Sequence, residues 1–254
     1  MKIFLASPPE TAADAARTGL ELAHLDYKLE DGRLWRIEGG GARGGLMVCE
    51  LAGLAAESDA RAAARDILAE CSARDYGGVV LSLERAPNRS HIELARLTGA
   101  AAAERGMLFF SGERLALAAG LPSGAALIPA SPDGGSLEAR LREAAGLFGA
   151  ERVALEIDVV MEDITPPSPP GAGRPLSRGE LSALAARYCK KPQFSEYLCC
   201  NYFTYRAGAS RHVILYDDLA SVRAKLSLGA SLDIGAAFLF YPRAADFASS
   251  LRGE

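Results

Sequence analysis

The sequence predicts an α/β protein that forms one closed barrel of eight parallel strands, the (β/α)8 or TIM barrel. Three observations favour this fold. Eight apolar, strand-like runs alternate with helical segments along the chain. Glycines precede two of these runs, at Gly77-Gly78 and at Gly235. The 254 residues and the 49% hydrophobic content suit one large core, so we expect residues 1–254 to form a single domain.

The first half of the chain contributes four strands, two helices and a small hairpin. A glycine-rich stretch at 39–45 follows the hairpin and leads into the third strand. Ser58 is the predicted N-cap of the second helix. The predicted strands are 2–6, 21–27, 46–50 and 79–83, the helices are 10–18 and 58–74, and the hairpin reaches 34–37.

The second half continues the alternation and adds an insertion before strand eight. An antiparallel pair at 201–205 and 212–216 predicts a small β-hairpin subdomain, which follows a loop at 165–175. Ser90 is the predicted cap of the first helix here. The predicted strands are 107–111, 125–130, 152–160 and 235–241, and the helices are 90–105, 113–119, 136–148, 177–189 and 218–230.

The fourth predicted strand carries the leading candidate for catalysis. Its run from Val79 to Leu83 does not alternate, which is typical of a parallel strand that is buried on both faces. Glu84 follows directly, at the carboxyl end, where barrels of this kind build their active sites. Glu84 is therefore a candidate catalytic residue, and the alternative is a solvated acid at a strand end.

Composition excludes several classes of partner. The net charge of −4 and the absence of a basic run argue against nucleic acid. No apolar stretch of about 18 residues predicts a membrane helix, and the short apolar start does not resemble a signal peptide. We therefore expect a cytoplasmic protein. Its five cysteines lack paired spacing and are expected to be reduced core thiols, namely Cys49, Cys71, Cys189, Cys199 and Cys200.

Further carboxylates are predicted around the barrel mouth. In strand seven, alternation places Glu156, Asp158 and Glu162 on one face, where they can bind a sugar, share a proton or form ion pairs. Other acids, Asp26, Glu50 and Glu113, close strands two, three and five. Such a ring suits Mg²⁺ or Ca²⁺, but no compact metal motif is present, so we predict neither a metal nor a cofactor.

The aromatic and amide residues of the insertion have two interpretations. Asn201 and Tyr202 are the first candidates for ligand contact, because aromatic faces stack on sugars; core packing of the insertion is the alternative. Trp35, in the early hairpin, has the same two interpretations. The three histidines belong to no nucleophile motif and are expected to be packed or at the surface: His24, His91 and His212.

Several stretches together resemble glycoside hydrolase family 18, especially its spore-cortex-lytic and spore-germination branch. The resemblance covers most of the chain. It lies in an acid pair with a Ser-x-x-x-Lys helix, in the apolar last strand, and in two earlier stretches. These are Tyr216-Asp-Asp-Leu-Ala-Ser221-Val-Arg-Ala-Lys225, Gly235-Ala-Ala-Phe-Leu-Phe-Tyr241, Asn201-Tyr-Phe-Thr-Tyr205 with His212, and His24-Leu-Asp-Tyr-Lys-Leu-Glu-Asp-Gly32.

The resemblance implies a sugar-binding mouth in which Glu84 is the general acid/base. The family's three strand-four aspartates are replaced here by Gly77, Val80 and Ser82. Its strand-six Met-x-Tyr-Asp is also absent from 127–131. The tryptophan under the sugar is replaced by Phe240 or Tyr241. The implied substrate-binding residues are Ser82, Asp26, Tyr27, Glu156, Asp158, Asn201, Tyr202 and Tyr241.

Three functions remain open at this point. The first is a glycoside hydrolase acting on N-acetylated glycan, with Asp158 or Glu156 in place of the lost aspartate. The second is a catalytically degenerate barrel that binds glycan or peptidoglycan fragments. The third is a barrel retained for protein assembly, for instance in sporulation, and an open acidic mouth would favour the first two over it. The sequence predicts no oligomeric state.

Overall fold

The structure is a computed structural model that describes residues 1–120, 123–132, 135–169, 171–188 and 191–253. Its strands, in chain order, are β1 (Lys2–Ser7), β2 (Glu21–Glu30), β3 (Arg33–Arg36), β4 (Leu46–Gly53), β5 (Gly78–Ser82), β6 (Leu108–Gly112), β7 (Ala125–Pro129), β8 (Val153–Ile157), β9 (Met161–Ile164), β10 (Arg174–Pro175), β11 (Gln193–Ser195), β12 (Cys200–Ala207), β13 (Ser210–Tyr216) and β14 (Ala236–Phe240). Its helices are α1 (Ala12–Ala16), α2 (Ala60–Ala73), α3 (Arg89–Glu104), α4 (Glu113–Ala119), α5 (Leu137–Phe148), α6 (Arg178–Arg187), α7 (Leu219–Ser231) and α8 (Tyr241–Ala244). Short 3-10 turns occupy Pro9–Thr11, Ala150–Arg152 and Ala248–Leu251.

Eight of these strands close into a parallel barrel, which confirms the predicted fold. The strand order is β1-β14-β8-β7-β6-β5-β4-β2, and β1 also pairs in parallel with β2. The closing pairs place Phe4 beside Phe238 and Ala6 beside Ala23. No edge of the barrel is therefore left between its first and second strands.

The barrel is filled by apolar side chains inside and covered by a second apolar layer outside. Phe4 stacks on Phe238 at 4.9 Å between ring centroids, and Phe110 meets Phe238 edge-on at the same distance. Val80 belongs to this inner cluster, whereas Val79 and Leu81 face the helices. This alternation is the physical basis for deciding which residues of each strand reach the mouth.

The connection between β2 and β4 departs from the regular barrel. Residues 31–45 form the second strand of a hairpin, β3, and an extended glycine-rich segment instead of a helix. Gly45, at φ +66°, lies so close to the carbonyl of Leu22 that a β-carbon would clash with it. The predicted hairpin is thus present, and the glycine-rich segment packs directly on β2.

A five-stranded sheet follows β8 and precedes α7. Its order is β10-β9-β13-β12-β11, and the predicted antiparallel pair is its β12 and β13. The Asp217 carboxylate fastens this insertion to the barrel, because it accepts hydrogen bonds from the Val160 N–H at 3.0 Å and from the Lys225 ammonium at 2.6 Å. Both Asp217 and Lys225 are buried.

Two details of the predicted elements are wrong. Strand seven does not run to 160, because β8 ends at Ile157 and the chain crosses to the second sheet at Met161. Neither predicted serine caps its helix: Asp59 caps α2 and Asn88 caps α3. Ser90 instead donates its hydroxyl hydrogen toward the carbonyls of Ala56 and Ser58.

The described cysteines lie in the core, as the sequence predicted. Four cysteines, Cys49, Cys71, Cys199 and Cys200, are buried free thiols, and burial raises the pKa of each. Cys189 lies outside the described residues. Across the described part of the chain, no helix is both long and apolar enough to cross a bilayer.

Candidate active site

Three adjoining cavities open at the carboxyl ends of the barrel strands. Their volumes are about 400, 990 and 220 Å³, and Ser82 lines all three. The floor is apolar and includes Val48, Val80 and Phe238. The mouth of the barrel is therefore open above a packed interior.

Strand β5 positions Ser82 and Glu84 in this space. Val80 fills the inside of the barrel, so alternation turns Ser82 toward the mouth, and Glu84 follows on the same side just beyond the strand. The strand begins at Gly78, where a β-carbon would lie 2.5 Å from the carbonyl oxygen of Leu108. Only glycine fits that close approach of neighbouring strands. Glu84 is exposed and lines the two cavities of 990 and 220 Å³.

Glu156, on β8, lines the largest of these three cavities together with Glu84. Its side chain keeps access to solvent through the cavity, but protein surrounds it on the other sides. This desolvation raises the pKa of Glu156 above its usual 4.5, and the charges of Asp158 and Glu84 raise it further. The mouth thus contains one carboxyl group that keeps its proton to a higher pH than an ordinary glutamate.

The other two acids predicted for strand seven are placed differently. Asp158 lines the 400 Å³ cavity but is bound by Arg243, at 2.7 Å between guanidinium nitrogen and carboxylate oxygen. Glu162 lies in β9 of the second sheet, so the prediction that it shares a face with Glu156 is wrong. The break after Ile157 is the reason, because it interrupts the alternation.

Asp26 and Tyr27 do not present their polar groups to the mouth. Asp26 is buried and accepts hydrogen bonds from the N–H groups of Gly41 and Ala42, at 2.7 and 3.1 Å. These N–H groups have no helical partner in the extended segment, and the carboxylate satisfies them. Tyr27 borders the 220 Å³ cavity, but its hydroxyl donates to Glu70 of α2. An extra residue in β2 between His24 and Tyr27 turns Tyr27 outward.

The remaining predicted contact residues also lie away from the cavities. Asn201 and Tyr202 belong to β12 in the second sheet, where Tyr202 packs on the cluster of Val160, Cys200 and Leu215. Tyr241 is buried in the outer core, because alternation from Phe238 turns Phe240 to the mouth and Tyr241 to the helices. The aromatic side chain at the mouth on the last strand is therefore Phe240.

Sequence reasoning missed several residues that line the largest cavity. Ser131 follows β7, and Arg140 of α5 donates hydrogen bonds to the carbonyls of Pro129 and Ser131, which fixes this part of the rim. Arg114 lines the same cavity beside Glu113, one of the predicted acids. The only local sequence signal for Arg114 and Arg140 is that each is a basic residue in the first turn of a helix that follows a short strand.

The described mouth is acidic but holds no metal-binding cluster. Glu50 and Glu113 line cavities beside Glu84 and Glu156. Within the described ranges, however, no three His, Cys, Asp or Glu side chains are close enough together to hold a metal ion. The histidines are also placed elsewhere: His24 and His91 are buried, and His212 binds Asp163 of β9 at 2.8 Å.

Comparison with known proteins gives matches in structure only. No protein-family model and no curated protein sequence matches the chain. Among solved structures, a chitinase from Chromobacterium violaceum has 17% identity and a TM-score of 0.73, and covers 99% of this chain and 100% of its own. The spore cortex-lytic enzyme SleL of Bacillus cereus has 14% identity and a TM-score of 0.70, with 94% of this chain and 70% of its own covered.

A third structure comes from a plant. The family GH18 chitinase of Cycas revoluta, solved with (GlcNAc)3, has 12% identity and a TM-score of 0.69 and covers 98% of this chain and 97% of its own. These structures share the closed barrel at low sequence identity. The chain therefore has the (β/α)8 barrel fold of the glycoside hydrolase family 18 structures.

Proposed function

We propose that this protein binds N-acetylated glycans at the carboxyl end of its barrel, as a glycoside hydrolase-like protein whose catalysis is weak or lost. The observation that carries the proposal is that Glu84, Ser82 and Glu156 line one open cavity. The matched chitinase and spore cortex-lytic folds support the substrate class. We also propose that residues 1–254 act as a single domain.

Glu84 has the position of a general acid. It stands free at the strand end, where it can protonate the oxygen of the leaving sugar. In the substrate-assisted route, the acetamide carbonyl of the sugar then attacks the anomeric carbon, and a neighbouring carboxylate stabilises the positive charge that develops on the acetamide. Ser82 occupies that neighbouring position on β5 and supplies a hydroxyl but no charge. The missing charge is the reason for the weak turnover that we propose.

Of the two strand-seven acids that border the mouth, Glu156 is the better placed to contact a bound sugar. Asp158 is already paired with Arg243, whereas Glu156 lines the cavity together with Glu84. Its raised pKa makes it a hydrogen-bond donor over a wider pH range than an ordinary carboxyl group, so it suits contact with a sugar hydroxyl or an acetamide oxygen. We assign Glu156 to binding, with Ser82, and Glu84 to proton transfer.

The open mouth favours glycan binding over a role in assembly alone. A barrel kept only for protein contacts needs no cavity of about 990 Å³ at its strand ends. The carboxylates around the mouth repel anionic groups, so the sugars that contact them should be uncharged N-acetylglucosamine units, which both chitin and peptidoglycan contain.

The test combines binding with turnover. Isothermal titration of the full chain with N-acetylglucosamine oligomers should give saturable binding, while hydrolysis by the wild type should be weak or undetectable. Any residual hydrolysis should fall by about 10²–10⁴-fold in Glu84→Gln, because a general acid contributes a factor of that size. Rapid wild-type hydrolysis would contradict the lost catalysis, and no binding of any oligomer would contradict the glycan proposal.

The choice between chitin and spore peptidoglycan needs its own comparison. One of the matched structures, SleL of Bacillus cereus, is described as a spore cortex-lytic enzyme, which motivates the proposal of a spore-associated role. Cortex peptidoglycan and chitin oligomers should be tested side by side in pull-down and titration. Retention on cortex peptidoglycan supports the spore role, and binding confined to chitin oligomers contradicts it.

A further inference from the structure

The hairpin after strand two continues the inner face of the barrel beyond the mouth. A row of paired residues crosses four neighbouring strands. Trp35 of β3 pairs with Lys28 of β2. Lys28 pairs with Glu50 of β4, which in turn pairs with Ser82 of β5. Paired residues of neighbouring strands point to the same face of a sheet. Because Ser82 and Glu50 line the mouth cavities, the whole row, ending in Trp35, faces the mouth side.

The opposite face of the hairpin gives an independent check of this orientation. Leu34, next to Trp35, packs against the outer core, and its partner Leu29 is buried there. Arg36, on the other side of Trp35, reaches outward to Glu70 of α2 at 2.9 Å. Alternation along β3 therefore places the Trp35 side chain on the inner face.

Trp35 is a large apolar surface that the described protein leaves open. Its exposed fraction is 51%, so the structure does not use it as a core plug. Ile37 continues from it into the 220 Å³ cavity, whose wall also contains Glu50 and Glu84. The exposed ion pair of Lys28 with Glu30, at 2.9 Å, lies on the same face and supplies polar groups beside the ring.

We infer that Trp35 is a stacking platform for a sugar ring, at the end of a groove that runs from Glu84 across Glu50 to the hairpin. This inference rests on the proposed glycan function and specifies the length of ligand that the site takes. An indole face packs on the apolar C–H face of a pyranose, while Lys28 and Glu50 offer hydrogen bonds to its hydroxyl rim. Three strand spacings separate Trp35 from Ser82, about 14 Å. A single sugar cannot span that distance, so the site prefers oligosaccharides.

The chain provides its own probe for this inference, because Trp35 is its only tryptophan. The intrinsic fluorescence of the full-length protein should be titrated with N-acetylglucosamine and with its trimer and hexamer, in parallel with calorimetry. We expect a saturable change in Trp35 emission with the hexamer, at the concentrations at which calorimetry shows binding. The monomer should produce no such change.

Variants separate stacking from folding. Trp35→Ala should weaken binding of the hexamer about tenfold, equivalent to about 1.4 kcal/mol, and leave binding of the monomer unchanged. Trp35→Phe, which keeps an aromatic face, should recover part of the affinity. Leu147→Ala removes a comparably exposed apolar side chain from the last turn of α5 and should change neither affinity.

The outcomes distinguish this inference from the function on which it rests. If calorimetry shows no oligosaccharide binding, the proposed function fails. If the hexamer binds but Trp35 emission and the affinity of Trp35→Ala stay unchanged, the platform is wrong and the glycan function stands. Emission that changes with protein concentration and not with sugar would show that a second copy covers Trp35, which also overturns the inference.

Discussion

Ser82 is the residue at which the candidate site differs most from the substrate-assisted route described above. It lies two residues before Glu84 on the mouth side of β5. Under the proposed function, a carboxylate at this position would face the positively charged acetamide. Ser82→Asp should therefore raise hydrolysis of N-acetylglucosamine oligomers by about tenfold or more. The gain should stay below the roughly 10²–10³-fold that one well-placed electrostatic group can contribute, because residues 127–131 also lack the tyrosine of the Met-x-Tyr-Asp motif.

The matched control for this substitution is Ser82→Asn, which has nearly the same shape as aspartate and no charge. Initial rates of both variants should be measured at several pH values. Equal rates for Asp and Asn would show that charge at this position does not limit the reaction.

Glu156 should make stability depend on pH. Its pKa is raised in the folded protein, chiefly by desolvation and then by Asp158 and Glu84. The folded state therefore holds this proton more tightly than the unfolded state, and its contribution is fully present below the usual value of 4.5 and is lost as pH rises through the raised pKa. Glu156→Gln, which cannot ionise, should be more stable than the wild type at pH 7.

Urea unfolding at a series of pH values checks this prediction. The advantage of Glu156→Gln should vanish toward pH 4, where the wild-type carboxyl group is protonated too. Asp158→Asn serves as the comparison, because Asp158 is paired with Arg243 and its removal should not stabilise the protein. A stability difference for Glu156→Gln that is the same at pH 4 and pH 7 would contradict the account.

The glycine-rich segment takes the place of a helix on the outside of β2. Gly44 and Gly45 both have positive φ, +72° and +66°, but a β-carbon at Gly44 has no atom within 4 Å, whereas one at Gly45 would lie against the carbonyl oxygen of Leu22. Gly44→Ala should cost about 1–2 kcal/mol from left-handed backbone strain alone.

Gly45→Ala adds a clash with the backbone to the same strain, so its cost should be clearly larger, about 3 kcal/mol or more. The free energies of unfolding of the two variants, from urea titration, give the comparison directly. Equal costs would mean that the segment can move away from β2, and that its packing is looser than the structure indicates.

The barrel and the inserted sheet should unfold together. Asp217, just before α7, accepts buried hydrogen bonds from Val160, directly before β9, and from Ser221 and Lys225 of α7. Cys199, directly before β12, lies in the outer core of the barrel. Separating the two units would break the buried hydrogen bond between Val160 and Asp217 and withdraw Cys199 from that core, which is costly.

Two spectroscopic probes test this cooperativity. Trp35 fluorescence reports on the hairpin of the barrel, and near-ultraviolet circular dichroism includes the stacked Tyr188 and Tyr205 of the insertion, whose ring centroids lie 4.3 Å apart. In urea the two curves should have the same midpoint, as expected for one cooperative unit. Two separate midpoints would show that residues 1–254 contain two cores, against the single domain that we propose.

The barrel, the hairpin after strand two and the inserted antiparallel pair can be predicted from the sequence. These are recorded locally, as uninterrupted apolar runs such as 79–83, as glycines at strand starts, and as alternation within β12 and β13. Each of these patterns depends on the residues of one element and on whether that element faces solvent or the core. The position of Glu84 at a strand end can also be predicted, because Glu84 directly follows the apolar run.

Which polar groups share the mouth, in contrast, depends on how the strands pair in the folded chain. The extra residue in β2 turns Tyr27 outward, and the end of β8 at Ile157 removes Glu162 from the barrel. Neither shift has a local signature, because each depends on how a strand pairs with neighbours distant in sequence. The pairing of Asp158 with Arg243, the approach of Glu156 to Glu84, and the row from Ser82 to Trp35 likewise exist only once the barrel has closed.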